Sequence, residues 1–330
     1  MKKVLVLGAT GHLGANTAIW LADRGYTVTA VGRRSNDNGF FATKGVDYIG
    51  EFELEEKSCY EKLPTDVDAV VHLAGTMPAQ ANADPMPYVN SIIVGMINLC
   101  EWMRNTRCRR IIFNTTPSDV SAFFGSGNPV SDDAPRSFPK DGGDHAVYAI
   151  SKNAAVDILE HYQIAYGFKP FVLRHMTVYG FHPNPYYNLN GERKMLPWRY
   201  IMKRCIAGDD VEVWGDPLRK KELLYVKDLV EVIELAINNE VVGLFNLGGD
   251  RAYTLEEQVD GLIHAFSMNK KSKKVFCPHK PNTPQNLLAT EKIKQALNWS
   301  HRWTWFDACQ DMRIESEKNP YELLWGKKID

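Results

Sequence analysis

The chain has 330 residues, a formal net charge of −1, 24% charged residues and 44% hydrophobic ones. That balance fits a folded globular protein and gives no electrostatic reason to expect nucleic acid or an anionic membrane as a partner. The length accommodates one large domain plus a smaller one.

In chain order, "MKKVLVLGATGHLG" places two lysines before an apolar run that Thr10 and His12 interrupt. The run is too short for an export signal or a membrane span, which points to the cytoplasm. Lys3 to Gly8 reads as a buried strand, Leu13 to Gly25 as a helix ended by glycine, and Tyr26 to Gly32 as the next strand. Asp68 to Gly75 and Arg109 to Thr116 are two more strands; a helix carrying Tyr148 and Lys152 precedes another, Lys169 to His175. This alternation predicts an α/β, Rossmann-type doubly wound parallel sheet with helices on both faces.

After His175 the texture changes. Tyr179 to Gly191 is rich in aromatic, Pro and Asn residues and reads as a loop, and Pro197 to Gly208 reads as a helix. Gly243 to Gly249 reads as one more buried strand, and Asn269 to Lys274 as a solvated basic loop. The expected organisation is a dinucleotide-binding unit from 1–176 and 221–249, interleaved with a smaller α/β substrate-binding unit from 177–220 and 250–330. The six cysteines form no C-x-x-C pair and the nine histidines no H-x-x-x-H pair, so no metal site is assigned.

Three patterns carry chemistry. "GATGHLG" sets Gly8, Gly11 and Gly14 between a strand and a helix, the context in which a glycine-rich turn and a helix N-terminus receive a pyrophosphate. The next strand ends in "AVGRRSND", with Arg33 and Arg34 where an NAD-binding chain usually carries an acid. A guanidinium there suits a 2′-phosphate, so NADP(H) is favoured over NAD(H). Glu51, after a short strand, is placed to accept from an adenine amino group. Tyr148 and Lys152 share a helical face at four-residue spacing; the alternatives are an ordinary helix or a proton-transfer pair in which the ammonium lowers the phenol's pKa.

The ordered set "GATGHLG", "HLAG", Thr115–Thr116, "YAISK", "LRHMTVYG", "YVKDL" and "FNLGG" resembles the extended short-chain dehydrogenase/reductases, in particular the nucleotide-sugar epimerase and dehydratase group. The resemblance implies that Tyr148 is the acid/base for hydride transfer, that Lys152 binds the nicotinamide ribose, and that Thr116 hydrogen-bonds the reacting oxygen. It implies that Gly8, Thr10, Gly11, His12, Leu13 and Gly14 hold the dinucleotide, with Ala74, Gly75 and His175 also lining it. It further implies a homodimer formed through the helix near Val89 to Arg104 and the helix of Tyr148.

Departures from the family pattern sharpen the reading. Pro117 and Ser118 follow Thr116, with Asp119 displaced, where 4,6-dehydratases carry an Asp-Glu pair. Thr177 stands where a diphosphate-binding Asn is usual, and Lys221, with Arg219 nearby, where an Arg is usual. The expected activity is NAD(P)-dependent hydride transfer on a nucleotide-activated sugar at C4, as a 4-epimerase or a 4-ketosugar reductase. A reductase of a non-sugar carbonyl and a catalytically inactive dinucleotide-binding regulator are the alternatives.

Overall fold

The computed structural model describes residues 1–78, 84–140, 144–189, 192–268 and 271–328. Asn190, Gly191, Asn269 and Lys270, parts of two expected loops, lie outside the described residues. The central sheet has seven strands: β1 (Lys3–Leu7), β2 (Thr27–Val31), β3 (Asp47–Ile49), β4 (Ala69–His72), β5 (Arg110–Asn114), β6 (Lys169–His175) and β7 (Gly243–Leu247). Their order is β7-β6-β5-β4-β1-β2-β3 and every pairing is parallel.

The β1 sequence explains why it lies at the centre. Val4 and Val6 point to one face, Leu5 and Leu7 to the other, and none is more than 1% exposed. A strand covered on both faces needs such an unbroken apolar run. On one face Val4 and Val6 pack with residues of α1 (His12–Ala22), such as Ala15 and Ala18. On the other, Leu5 and Leu7 share a core with α2 (Gly95–Arg104) and α3 (Asp144–Tyr166), through Met96, Leu99, Val156 and Leu159. Met86–Tyr88 and a π-helical turn at Val89–Val94 lead into α2. Strand order reverses between β1 and β4, which opens a crevice at their carboxyl ends.

A third core joins α4 (Pro197–Ala207), α6 (Leu255–Phe266) and α8 (Trp305–Lys318) through Met202, Cys205, Val259, Leu262, Trp305 and Met312. Between α4 and α6 in the chain, α5 (Val226–Ile237) covers the first face of the sheet with Leu229 and Ile233. Of the segment 250–330, α7 (Glu291–Leu297) and α9 (Glu322–Trp325) return to the sheet: Ile293, Leu297, Trp299, Tyr321 and Leu324 lie in the same core as Val4.

Two local expectations change. The stretch expected as a loop contains Tyr186–Leu189, which pairs antiparallel with Glu192–Met195. Lys274, expected in a solvated run, begins a strand, Lys274–Cys277, and its ammonium holds Glu256 and Asp260 at 2.6 and 3.0 Å. The first is a local hairpin that the aromatic and Asn-rich composition masks; the second depends on partners 14 and 18 residues away.

Candidate active site

Gly8 ends β1 with φ of +83°, a left-handed conformation that favours glycine. A Cβ on Gly8 would stand 2.8 Å from the Ala74 nitrogen, and one on Gly14 would stand 2.1 Å from the Gly8 carbonyl oxygen. The turn, the first turn of α1 and the end of β4 therefore close on one another backbone to backbone. Gly11 is the N-cap of α1; no side chain caps it and the first turn holds no acid. First-turn amides and the positive end of the helix dipole are left for an anion. That cradle, with Thr10, His12 and Leu13 along it, fits the pyrophosphate of a dinucleotide. Across the crevice Gly75 has φ of +136°, and a Cβ there would lie 3.3 Å from Ile92 and 4.0 Å from the Lys152 ammonium.

Tyr148 and Lys152 sit one turn apart on α3, 7% and 5% exposed. Lys152 Nζ donates to the Asn114 carbonyl at 2.9 Å, and lies 4.5 Å from the centre of the Phe113 ring and 6.0 Å from that of Tyr148. The Tyr148 hydroxyl donates to Met77 Sδ at 3.7 Å. Burial lowers the Lys152 pKa to about 8 and raises that of Tyr148 to about 12. The expected lowering of the phenol by its lysine is thus reversed here. The ammonium is turned to a β5 carbonyl, and exclusion of water disfavours the phenolate.

Thr116 and Thr115 differ in their hydroxyls. Thr116 Oγ1 accepts from the Ser118 amide at 3.2 Å and donates to Ser118 Oγ at 3.1 Å, so it caps the 3-10 turn Pro117–Phe123. Thr115 Oγ1 is closed off from solvent without a partner. His175 is satisfied by one tautomer: Nδ1–H donates to the Met176 carbonyl at 2.8 Å, and Nε2 accepts from Asn114 Nδ2 at 3.0 Å. Burial lowers its pKa and keeps it neutral. Asp119 is fully buried and paired with Arg174 at 2.9 Å. It is a strut of the fold and does not open onto the crevice.

At the end of β2, Arg33 and Arg34 part company. Arg34 Nη1 donates to the Leu324 carbonyl at 2.7 Å, while Arg33 is exposed with no hydrogen bond or ion pair among the described residues. Glu51 is also exposed, with φ of +50°, and its amide donates to the Arg34 carbonyl at 3.2 Å.

Comparison with known proteins places the chain in a family. Residues 4–248 match the family described as NAD dependent epimerase/dehydratase. The chain belongs to that family. UDP-glucose 4-epimerase 2 of Arabidopsis thaliana is 24% identical over 349 residues, covering 97% of this chain and 96% of its own. Among solved structures, a UDP-N-acetylglucosamine 4-epimerase from Bacillus cereus aligns with a TM-score of 0.77 at 21% identity, over 95% of this chain and 99% of that one. A UDP-glucose 4-epimerase of Thermus thermophilus, in complex with NAD, aligns with a TM-score of 0.71 at 22% identity, over 94% and 98%. At such identities the structures establish a shared fold.

On the other side of the crevice the family positions diverge. Val178–Tyr179 pairs with Leu224–Tyr225, which carries the exposed Thr177 beside the basic stretch. Lys221 Nζ lies 5.7 Å from the centre of the Tyr179 ring. Arg219 donates to Thr283 Oγ1, so of the two cations it is Lys221 that is shown beside Tyr179, on the strand that Thr177 precedes. Sequence reading passed over Asn114 and Met77, which hold Lys152 and Tyr148, and gave Ser118, which holds Thr116, no such role. A polar residue ending the apolar run "RIIFN" is the signal that marks Asn114.

Proposed function

We propose that this chain is a 4-epimerase of nucleotide-activated sugars that retains its dinucleotide through the cycle. The observation that carries this reading is Lys152, one turn from Tyr148 on α3, bonded to the Asn114 carbonyl at the end of β5 and close to Gly75 past the end of β4, with Thr116 two residues beyond Asn114. Tyr148 in its phenolate form takes the proton of the C4 hydroxyl, becoming the phenol, and gives it back on the return step; Thr116 keeps capacity to hold the reacting oxygen; Lys152 orients the dinucleotide. The dinucleotide, when bound, supplies the hydride acceptor. The names of the similar proteins, all 4-epimerases of UDP-sugars in the three cases above, support this substrate class.

NAD is the cofactor we favour, since similar structures, the Thermus thermophilus epimerase among them, are complexes with NAD. The free guanidinium of Arg33 supports a second reading, a 4-ketosugar reductase that spends NADPH. Incubation of the protein with UDP-glucose, UDP-N-acetylglucosamine and UDP-glucuronate separates the two. The expected result is interconversion of C4 epimers without net cofactor consumption, with NAD released on denaturation. Stoichiometric NADPH oxidation, reduced by Arg33→Ala, would favour the reductase; neither activity would reject both.

Lys221 is the cation we assign to the substrate diphosphate, with Thr177 beside it. Removal of a charge-assisted bond to phosphate costs about 1.5–3 kcal/mol, so Lys221→Ala is expected to raise the substrate KM by at least tenfold and leave NAD affinity unchanged. An unchanged KM in steady-state kinetics would place the diphosphate elsewhere. We also take the assembly to be a homodimer through α2 and α3, on which Ile97, Ile150 and Ile164 are exposed; sedimentation velocity tests this, and a monomer rejects it.

A further inference from the structure

Arg199, in the first turn of α4, is a buried cation that the reading above leaves without a task. Among the described residues two other arginines are buried, and each has partners at two of its three nitrogens, with only Arg110 Nη2 and Arg174 Nε left over. Arg174 pairs with Asp119, and Arg110 donates to the carbonyls of Ala236, Lys169 and Val241. Arg199 is 6% exposed and its side chain has no hydrogen bond or ion pair among the described residues. Its Nε is closed off from solvent without a partner, and the guanidinium lies near two aromatic rings, Trp198 at 5.1 Å and Phe181 at 5.9 Å. No carboxylate offsets the burial, which lowers its pKa to about 10. A guanidinium desolvated in this way is costly unless an anion meets it.

Its neighbours narrow the choice of anion. The field of Arg199 reaches His12 and His182. His12 is the first residue of α1, and its Nε2 is likewise sealed from solvent without a partner. The ring lies against Gly180, where a Cβ would come within 2.6 Å of Nε2. His182 stands 6.2 Å from His12 between ring centres and 4.4 Å from Trp325, whose indole donates to the Thr10 carbonyl at 2.9 Å. The Arg199 cation and the neutral ring of His182 thus lie towards the uncapped, acid-free start of α1, where His12 stands.

We propose that Arg199, with His12, clamps the pyrophosphate of the dinucleotide from the side opposite the glycine turn. The inference rests on the reading that a dinucleotide lies at α1. The bound anion then supplies the partner the guanidinium lacks. It also ties α4 to α1, which suits an enzyme that keeps its cofactor between turnovers.

The test is titration of cofactor-stripped protein with NAD+ and, separately, with UDP, followed by tryptophan fluorescence, together with the melting temperature of the stripped protein. Arg199→Met is expected to bind NAD+ at least tenfold more weakly and UDP within twofold of wild type. Its stripped form is expected to melt no lower, because an unmatched buried charge has been replaced by an apolar chain. Arg199→Lys keeps the charge without the fork and should fall between; it also serves if the Met variant does not fold. Unchanged NAD+ affinity in both variants overturns the proposal, as does a loss confined to UDP. A lower melting temperature with equal loss of both ligands marks a structural arginine and also overturns it. Wild-type protein that binds neither NAD+ nor NADP+ overturns the cofactor site itself, a failure seen before any variant is made.

Discussion

Tyr148→Phe is expected to lose about 100- to 10,000-fold in turnover, the range that a positioned acid/base contributes. NAD+ affinity and melting temperature should change little. The ring of Tyr148 is packed in the core of the second sheet face with Tyr88, whose ring centre is 6.4 Å away, and phenylalanine preserves that packing. Among the described residues the hydroxyl is joined only to the sulfur of Met77, at 3.7 Å, so removing it strands no strong donor or acceptor there. Rates measured beside cofactor titration and thermal melts check all three points. Turnover within tenfold of wild type would remove Tyr148 from the reaction.

Lys152→Met should separate activity from stability. Loss of the ammonium is expected to lower turnover at least 100-fold, since its neighbour Tyr148 lies at about 12 and has no other cation beside it. Stability should move the other way. The folded pKa of Lys152 is about 8 against an ordinary 10.5. Between these values the unfolded chain binds more protons, so stability rises with pH across that window. The cost of the buried charge is fully present below about pH 8 and gone above about pH 10.5. It amounts to roughly 3 kcal/mol at pH 7. Methionine removes this cost but leaves the Asn114 carbonyl without its donor, a loss of about 1–2 kcal/mol. A net gain of about 1–2 kcal/mol at pH 7 is expected, turning into a loss above pH 10.5. Urea denaturation at pH 7 and at pH 10.5 reads the difference. A variant destabilised equally at both would mean that Lys152 is well solvated or well paired in the folded chain.

Local pattern made the cradle and the tyrosine–lysine pair legible. The run "KVLVL" has the apolar continuity that a strand buried on both faces requires. Gly8 and Gly14 follow it at the spacing that lets turn and helix touch, and the contact distances show that a side chain at either would collide with backbone. Tyr148 and Lys152 are four residues apart on one helix, so a helical reading alone puts them on one face. The expected helix from Leu13 to Gly25 forms as His12–Ala22, a shift at both ends that capping and the Asp23 turn decide.

The chemical state of those groups was set elsewhere. Whether Lys152 lowers the Tyr148 pKa depends on where its ammonium turns, and that is settled by the Asn114 carbonyl, 38 residues away. The two arginines after β2 look equivalent in the sequence. Leu324, 290 residues from Arg34, engages that one and leaves Arg33 free. Arg199 and His12 are unremarkable letters until α4 and α1 are brought together and water is shut out. Hydrogen-bonded strands and helical faces arise from neighbours a few residues apart, so their pattern is written in the local sequence. Desolvation and charge pairing arise from whatever the folded chain places within a few ångströms, and they decide protonation, pairing and ligand preference. For this protein the first kind of information determined the sheet, the dinucleotide cradle and the candidate acid/base, while the second alone decided which of its buried cations stand without an anion.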